Sequence, residues 1–306
     1  MATVIEPKLA QPASQAQPFL AYKSLSPLDL ALRRFKRNKL AVVGLVIVTL
    51  FVFAGLLAPL LAPFPFDRTN LLKPFLSPFQ DASHVLGTDN LGRDMLSRLM
   101  WGVRTSLIVA FIAQGFSLLV AFVLGFAAGW LGGWVDLVVN RLIEVTASLP
   151  GLLFQIMIMV LIGNGVLQVT LAITILSWPG LTRLVRAQIL TLKDREFIDA
   201  SRAIGASPLS ISLRHLLPNI LNPIIVAVTF GIPGYIGAEA GLSFLGYGIN
   251  DPLPSLGKMV GAAGEFLQRY LYMAILPTVT LSLLVLGFSF FGDGLRDALD
   301  PGSERA

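Results

Sequence analysis

From Val145 to Thr182 the chain carries no charged residue. A helix needs about 20 apolar residues to cross about 30 Å of hydrocarbon. The run is therefore too long for one crossing and long enough for two. Gly163–Asn164–Gly165 sits in its middle and reads as a hairpin turn. Two spans are expected, roughly 138–162 and 166–188, kinked by Pro150 and Pro179. Such kinks are tolerated in lipid when neighbouring groups re-satisfy the freed carbonyls.

Four more uncharged runs fit the same rule. They are Leu40–Ala62, Thr105–Val135, Leu216–Ala238 with Pro223 and Pro233 inside, and Tyr270–Gly292. The second ends in the breaker cluster Gly129–Trp130–Leu131–Gly132–Gly133. The expected fold is thus an all-α integral membrane protein with six transmembrane helices. Only 13% of the 306 residues are charged, against about 25% in soluble domains. Polar and apolar residues do not alternate over barrel-strand lengths, which argues against a β-barrel.

The charge distribution orients the spans. Arg33, Arg34, Lys36, Arg37 and Lys39 crowd ahead of the first one and place the N-terminus in the cytoplasm. Six crossings return the C-terminus to that side. The segment between the fourth and fifth spans is then cytoplasmic, and it carries Arg183, Arg186, Lys193, Arg195, Arg202 and Arg214. The first 38 residues are polar and lack the early apolar stretch of a cleavable signal, so the first span reads as an uncleaved anchor. The division expected is a tail at 1–38, a first helix at 39–63 and an extracytoplasmic loop at 64–104. A core of five helices at 105–295 follows, with a cytoplasmic loop at 190–218, and then a cytoplasmic tail at 296–306. The net charge of +5 reads as orientation rather than nucleic-acid binding, because no basic stripe with interleaved aromatics is present.

Several chemistries find no residues here. There is no cysteine, hence no disulfide and no zinc-thiolate site. Only His84 and His215 offer imidazole, and no metal-ligand spacing is seen. No GxxxxGK[ST] phosphate loop occurs, the only Gly-Lys being Gly257–Lys258 followed by Met259. Nucleotide handling would fall to separate subunits, and no enzyme active site is expected. Arg141 and Glu144 lie three apart and can pair on one helix face. Glu239, near the outer end of the fifth span, is a candidate for facing the pore or its mouth. Gly125 with Gly129, and Gly237 with Gly241, form GxxxG pairs that permit close helix approach.

Residues 189–219 read ILTLKDREFIDASRAIGASPLSISLRHLLPN. Gly205 suits the left-handed position that ends a helix. Ser207 followed by Pro208 suits an N-cap with proline at the first helical position. Two short helices around a bend are expected, forming a knob between two spans.

This loop resembles the EAA motif of ABC importer permeases: Glu-Ala-Ala, three residues, Gly, nine residues, Ile, one residue, Leu-Pro. Asp199, Ala200, Ser201, Gly205, His215, Leu217 and Pro218 fall at that spacing. Asp199 stands for Glu, Ser201 for Ala and His215 for Ile. Three further stretches narrow the resemblance: HVLGTDNLGRDMLSRLMWGVRTSL from His84, EAGLSFLGYGINDPLPSLG from Glu239, and GDGLRDALDP from Gly292. All are similar to the DppC/OppC-type permease of dipeptide and oligopeptide importers, over about residues 25–301.

The resemblance implies a type I ABC importer permease fold in a bacterial or archaeal inner membrane. It also implies a coupling helix at the knob and half of a pore shared with a second homologous permease. Two cytoplasmic ATPase subunits would hold ATP and Mg, and an extracytoplasmic binding protein would deliver substrate. This chain would bind no cofactor of its own. The same branch includes nickel and glutathione importers. A gradient-driven secondary transporter is a separate alternative, whose signature would be internal repeats and midplane carboxylates. A membrane scaffold without a pore is a third.

Overall fold

A computed structural model describes residues 27–299. Among them the regular structure is helical, apart from isolated β-bridges joining Asp81 to His84 and Thr88 to Asp94. Most of the N-terminal tail, and Pro301 at the end of the GDGLRDALDP stretch, lie outside the described residues.

The chain opens with α1 (Pro27–Arg37), α2 (Lys39–Leu56) and the short α3 (Ala58–Leu61). Asn38 caps α2, its side chain accepting from the Ala41 amide at 3.2 Å. A long irregular segment then leads to α4 (Met95–Val120), which passes through a π turn at Ala121–Gly125 into α5 (Phe126–Leu131). The second helix thus begins ten residues ahead of the expected start at 105. Asp94 caps it, accepting from the Ser97 amide at 2.8 Å. Arg98, one turn into this helix, is buried and lies 3.5 Å from Asp89.

Gly132 and Gly133, both at positive φ, turn the chain into α6 (Gly133–Ser148). The helix stops at Leu149, extended at ψ 133° ahead of Pro150, because proline disfavours helical geometry in the residue before it. After this break α7 (Gly151–Ile162) sets off at 86° to α6. The expected span over 138–162 is therefore an elbow, not a kinked rod. Gly163 and Gly165, at φ +84° and +151°, make the expected hairpin turn into α8 (Val166–Lys193). Pro179 does not interrupt α8. Beyond it come α9 (Glu196–Ala203), α10 (Pro208–Ile211), a π turn at Ser212–Leu216 and α11 (Leu217–Phe244). The last elements are α12 (Leu256–Ala263), a 3-10 turn at Gly264–Phe266 and α13 (Tyr272–Leu299).

By length and composition, Lys39–Leu56, Met95–Leu131, Ser212–Phe244 and Tyr272–Leu299 can cross a membrane. The α6–α7 elbow makes a fifth if it counts as one span. The expected six is not reached, because α8 is too polar on average. Its polar residues are largely satisfied inside the protein. Thr170, Thr174 and Thr182 donate to carbonyls one turn back, at 2.6–2.8 Å. Ser177 meets Ser117 of α4 at 2.7 Å. One face of α8 nonetheless exposes an apolar row of Leu167, Leu171 and Ile175.

Two apolar clusters hold the bundle. The larger gathers Met95, Val103, Val109, Ile173, Ile236, Leu256 and Phe288 from α4, α8, α11, α12 and α13. The second, around Val185, Ile189, Ile198, Leu216 and Ile220, seats the knob against α8 and α11. Glycines set the closest approaches. A Cβ on Gly44 would lie 2.5 Å from the Phe291 amide, and one on Gly287 2.6 Å from Ile47, so α2 rides directly on α13.

The two GxxxG pairs differ. A Cβ on Gly125 would meet the Thr182 carbonyl at 2.8 Å, and one on Gly129 would meet Ile189 at 2.8 Å. A Cβ on Gly237 or Gly241 would meet nothing within 4 Å. The first pair docks α5 on α8, and the second opens onto free space within this chain. Gly129→Leu should destabilise the protein by about 1–3 kcal/mol, the usual range for overpacking. Gly237→Ala should lie close to wild type. Thermal unfolding in detergent checks both, and equal midpoints for the two variants would contradict the packing account.

Candidate functional site

The knob between α8 and α11 is built by a helix end that the sequence specifies closely. Glu196 and Asp199 lie in the first turn of α9, where negative charge suits the helix dipole. Ile198 is fully buried in the second cluster. Ser201 is buried, and its hydroxyl donates to the Phe197 carbonyl at 2.8 Å. At the other end of α9, Gly205 has φ +81°. Its amide donates to the Arg202 carbonyl at 2.9 Å, and the Ala206 amide donates to the Ser201 carbonyl at 3.0 Å. These paired bonds define the Schellman cap that glycine favours. The Ser207 hydroxyl then accepts from the Ser210 amide at 3.3 Å, and Pro208 opens α10.

The motif residues divide by exposure. Asp199, Ala200, Gly205 and Pro218 are exposed, and Ser201 faces inward. Leu217 is half-buried against the second cluster. His215 is also half-buried, with its ring 6.2 Å from that of Phe197. Asp199 pairs with Arg202 at 3.0 Å in the open, an arrangement worth less than about 1 kcal/mol. The Arg202 guanidinium also lies over the Trp130 ring at 5.5 Å, joining the knob to the end of α5.

Sequence reasoning overlooked Ile204. It sits at the bend, directly before Gly205, and is 86% exposed. Phe197, on the same short helix, is 42% exposed. An apolar residue immediately ahead of a capping glycine was the available signal. Together they give the knob an apolar tip beside a carboxylate–guanidinium pair, a surface suited to seating in a protein groove.

Glu239 lies near the other end of α11 and is fully enclosed within the chain. Its carboxylate accepts from the hydroxyls of Ser106 at 2.6 Å, Ser243 at 2.7 Å and Ser255 at 2.5 Å. These serines come from α4, from α11 itself and from the residue capping α12. Its position ties three elements together and does not open onto a mouth.

The segment ahead of α4 forms a clasp at the same end. Asp89 accepts from the amides of Leu91 and Arg93 at 2.9 Å and from the Arg93 side chain at 2.6 Å. His84 meets Asp94 at 3.0 Å and stacks on Phe64. The Tyr272 hydroxyl donates to the Thr88 carbonyl at 2.7 Å. Asp251 bonds Lys258 at 2.9 Å. Partial burial works to raise the Asp251 carboxyl, but Lys258 and the nearby arginines outweigh it and hold it below its usual range. The hydrogen bond from Lys73, aided by Ser83, holds Asp81 well below that range too. His84 belongs to this clasp and His215 to the knob, so the fold does not bring the two imidazoles together.

Residues 121–305 match the family described as binding-protein-dependent transport system inner membrane component. Residues 26–91 match the N-terminal TM domain of oligopeptide transport permease C. The dipeptide transport system permease protein DppC of Alkalihalophilus pseudofirmus is 38% identical, over 92% of this chain and 91% of that protein. The oligopeptide transport system permease protein OppC of Bacillus subtilis is 36% identical over 92% of each. The di/tripeptide transport system permease protein DppC of Pseudomonas aeruginosa is 37% identical, over 96% of this chain and 98% of that one. Among solved structures, an inward-facing MetNI methionine ABC transporter chain aligns with TM-score 0.55 and 23% identity. It covers 67% of this chain and 98% of its own length. That alignment identifies the fold as the one used by ABC importer permeases. With the knob, the capped bend and the sequence relatives in agreement, the chain belongs to the family of inner membrane components of binding-protein-dependent transport systems.

Proposed function

We propose that this permease forms half of the path by which an ATP-driven importer takes up di- or oligopeptides. A second, homologous permease completes the path. Two ATPase subunits bind the ATP and Mg, and a binding protein on the far side of the membrane delivers the peptide. The chain itself acts as conduit and coupler and carries out no bond chemistry. The substrate class rests on the relatives, whose names specify dipeptide, oligopeptide and di/tripeptide transport.

The observation that carries the coupling role is the exposed apolar tip at Ile204, held by the Gly205 cap and backed by the buried Ile198. The knob joins α8 directly to α11, so a force applied to it reaches both. With the elbow taken as one crossing and α8 as another, six crossings place both chain ends in the cytoplasm. The basic residues ahead of α2 and around the knob support that orientation.

Mass spectrometry of what co-purifies with the tagged chain from gently solubilised membranes tests the assembly. A second permease, ATPase subunits and a binding protein are expected. Peptide recovered from that binding protein supports the substrate class, and nickel or glutathione in its place refutes it. Recovery of the chain alone, in a detergent that preserves such complexes, refutes the importer.

A further inference from the structure

Helix α6 touches its own chain along one narrow strip. Val139 and Ile143 pack against Ala128, Leu124 and Trp178. Asp136 makes a paired ion contact with Arg186 of α8. The rest of the helix is open. On the open face Arg141 and Glu144 pair at 2.7 Å, with side chains 73% and 58% exposed. Trp134, Leu137, Val138, Leu142 and Val145 are exposed around them.

This pair does not fit hydrocarbon. It lies about 8–12 Å along the helix from the Asp136 anchor, at 1.5 Å per residue. The Arg186 anchor is itself two turns inside the end of α8 at Lys193. Ionised groups facing lipid at such depth are costly and are generally found turned toward protein or water. Water suits this pair better than protein does. A guanidinium has five N–H donors, and among the described residues Glu144 is the one hydrogen-bond partner of Arg141. A protein cover would have to satisfy the others. The elbow at Leu149–Pro150 then carries α7 away at 86°, leaving the open face of α6 uncovered by its own chain.

We propose that Arg141 and Glu144 line the water-filled path taken by the transported peptide. The inference rests on the permease reading above and extends it to named wall residues and a substrate chemistry. A peptide in water is a zwitterion with side chains of every polarity. A wall with one cation and one anion set among aliphatic residues offers a partner to each terminus while leaving the side chains unselected.

The absence of native cysteine makes the test clean. Arg141→Cys and Glu144→Cys are introduced singly, with Leu50→Cys, exposed at mid-length in α2, as the lipid-facing comparison. Right-side-out vesicles from cells making the full transporter, loaded with ATP and supplied with binding protein and peptide, are treated during turnover with a charged methanethiosulfonate, which reacts with the thiolate and therefore where water reaches. Modification at 141 and 144 is expected at least tenfold faster than at 50, and the bulky adduct should cut ATP-driven peptide uptake at least fivefold. Thiols at both positions that react as slowly as at 50, in vesicles that still transport, overturn the proposal. So does fast modification that leaves uptake unchanged, which would put the pair in water off the path. Wild-type vesicles that take up no peptide would instead remove the permease reading beneath it.

Discussion

Gly205→Pro should lower ATP-driven uptake at least tenfold while leaving the protein in the membrane at near wild-type level. Proline is locked near φ −65°, and Gly205 sits at φ +81°. The substitution also deletes the amide that donates to the Arg202 carbonyl. The Schellman cap cannot form, and Ile204 loses the bend that presents it. Gly205→Ala should cost roughly 1–2 kcal/mol locally, the penalty for a Cβ in the left-handed region, and retain part of the activity. Gly205→Asn should do better, because asparagine visits that region more readily. Binding-protein-stimulated ATP hydrolysis and peptide uptake, measured together in vesicles, read the series. A proline variant with wild-type stimulation would show that the bend has no part in coupling.

The second large effect is expected at Glu239. Glu239→Leu removes the acceptor shared by Ser106, Ser243 and Ser255. A buried donor left without a partner costs about 1–3 kcal/mol. Ser106 and Ser243 lie within helices and can turn to a carbonyl one turn back, whereas Ser255 precedes α12 and lacks that exchange. The net loss should therefore be about 2 kcal/mol, concentrated where α12 meets α4 and α11. Glu239→Gln keeps an acceptor oxygen, and its amide can donate to a reversed hydroxyl, so it should recover most of the loss. Thermal inactivation of the assembled transporter in detergent separates the variants. A Gln variant as unstable as the Leu variant would mean that charge, rather than hydrogen bonding, holds the site together.

Local grammar made much of this fold legible. Gly163–Asn164–Gly165 and Gly205 announce their turns because few residues tolerate their backbone geometry. The knob followed from Gly205, Ser207 and Pro208, whose effects reach only a few residues. What the sequence hid depended on distant partners. The start of α4 was misplaced because the uncharged run begins at Thr105, after Arg104, and the buried Arg98 has a partner, Asp89, recognisable only once the clasp has folded. Uncharged length pointed to six crossings, whereas four helices and the elbow meet the requirement by length and composition. Pro150 breaks one expected span into an elbow, and α8 mixes threonines, Ser177 and Arg183 with its apolar residues. Glu239 drew attention as an acidic residue in an apolar run. Its role turned on serines at 106 and 255, far apart in sequence and unremarkable singly. Ile204 was missed because the family motif passes over that position.

The continuity of α8 through Pro179 also has a mechanical meaning. Its 28 residues make a rod about 42 Å long at 1.5 Å per residue. One end is gripped by the knob and the other by the glycine turn, where Asn250 donates to the Asn164 carbonyl at 2.8 Å. A lever of that length multiplies small angles, so a tilt of about 5° at one end displaces the other by roughly 4 Å. Asp136 is fastened to the lever two turns from the knob, close to the fulcrum if the knob is held. There the same tilt becomes a short, forceful stroke applied to α6.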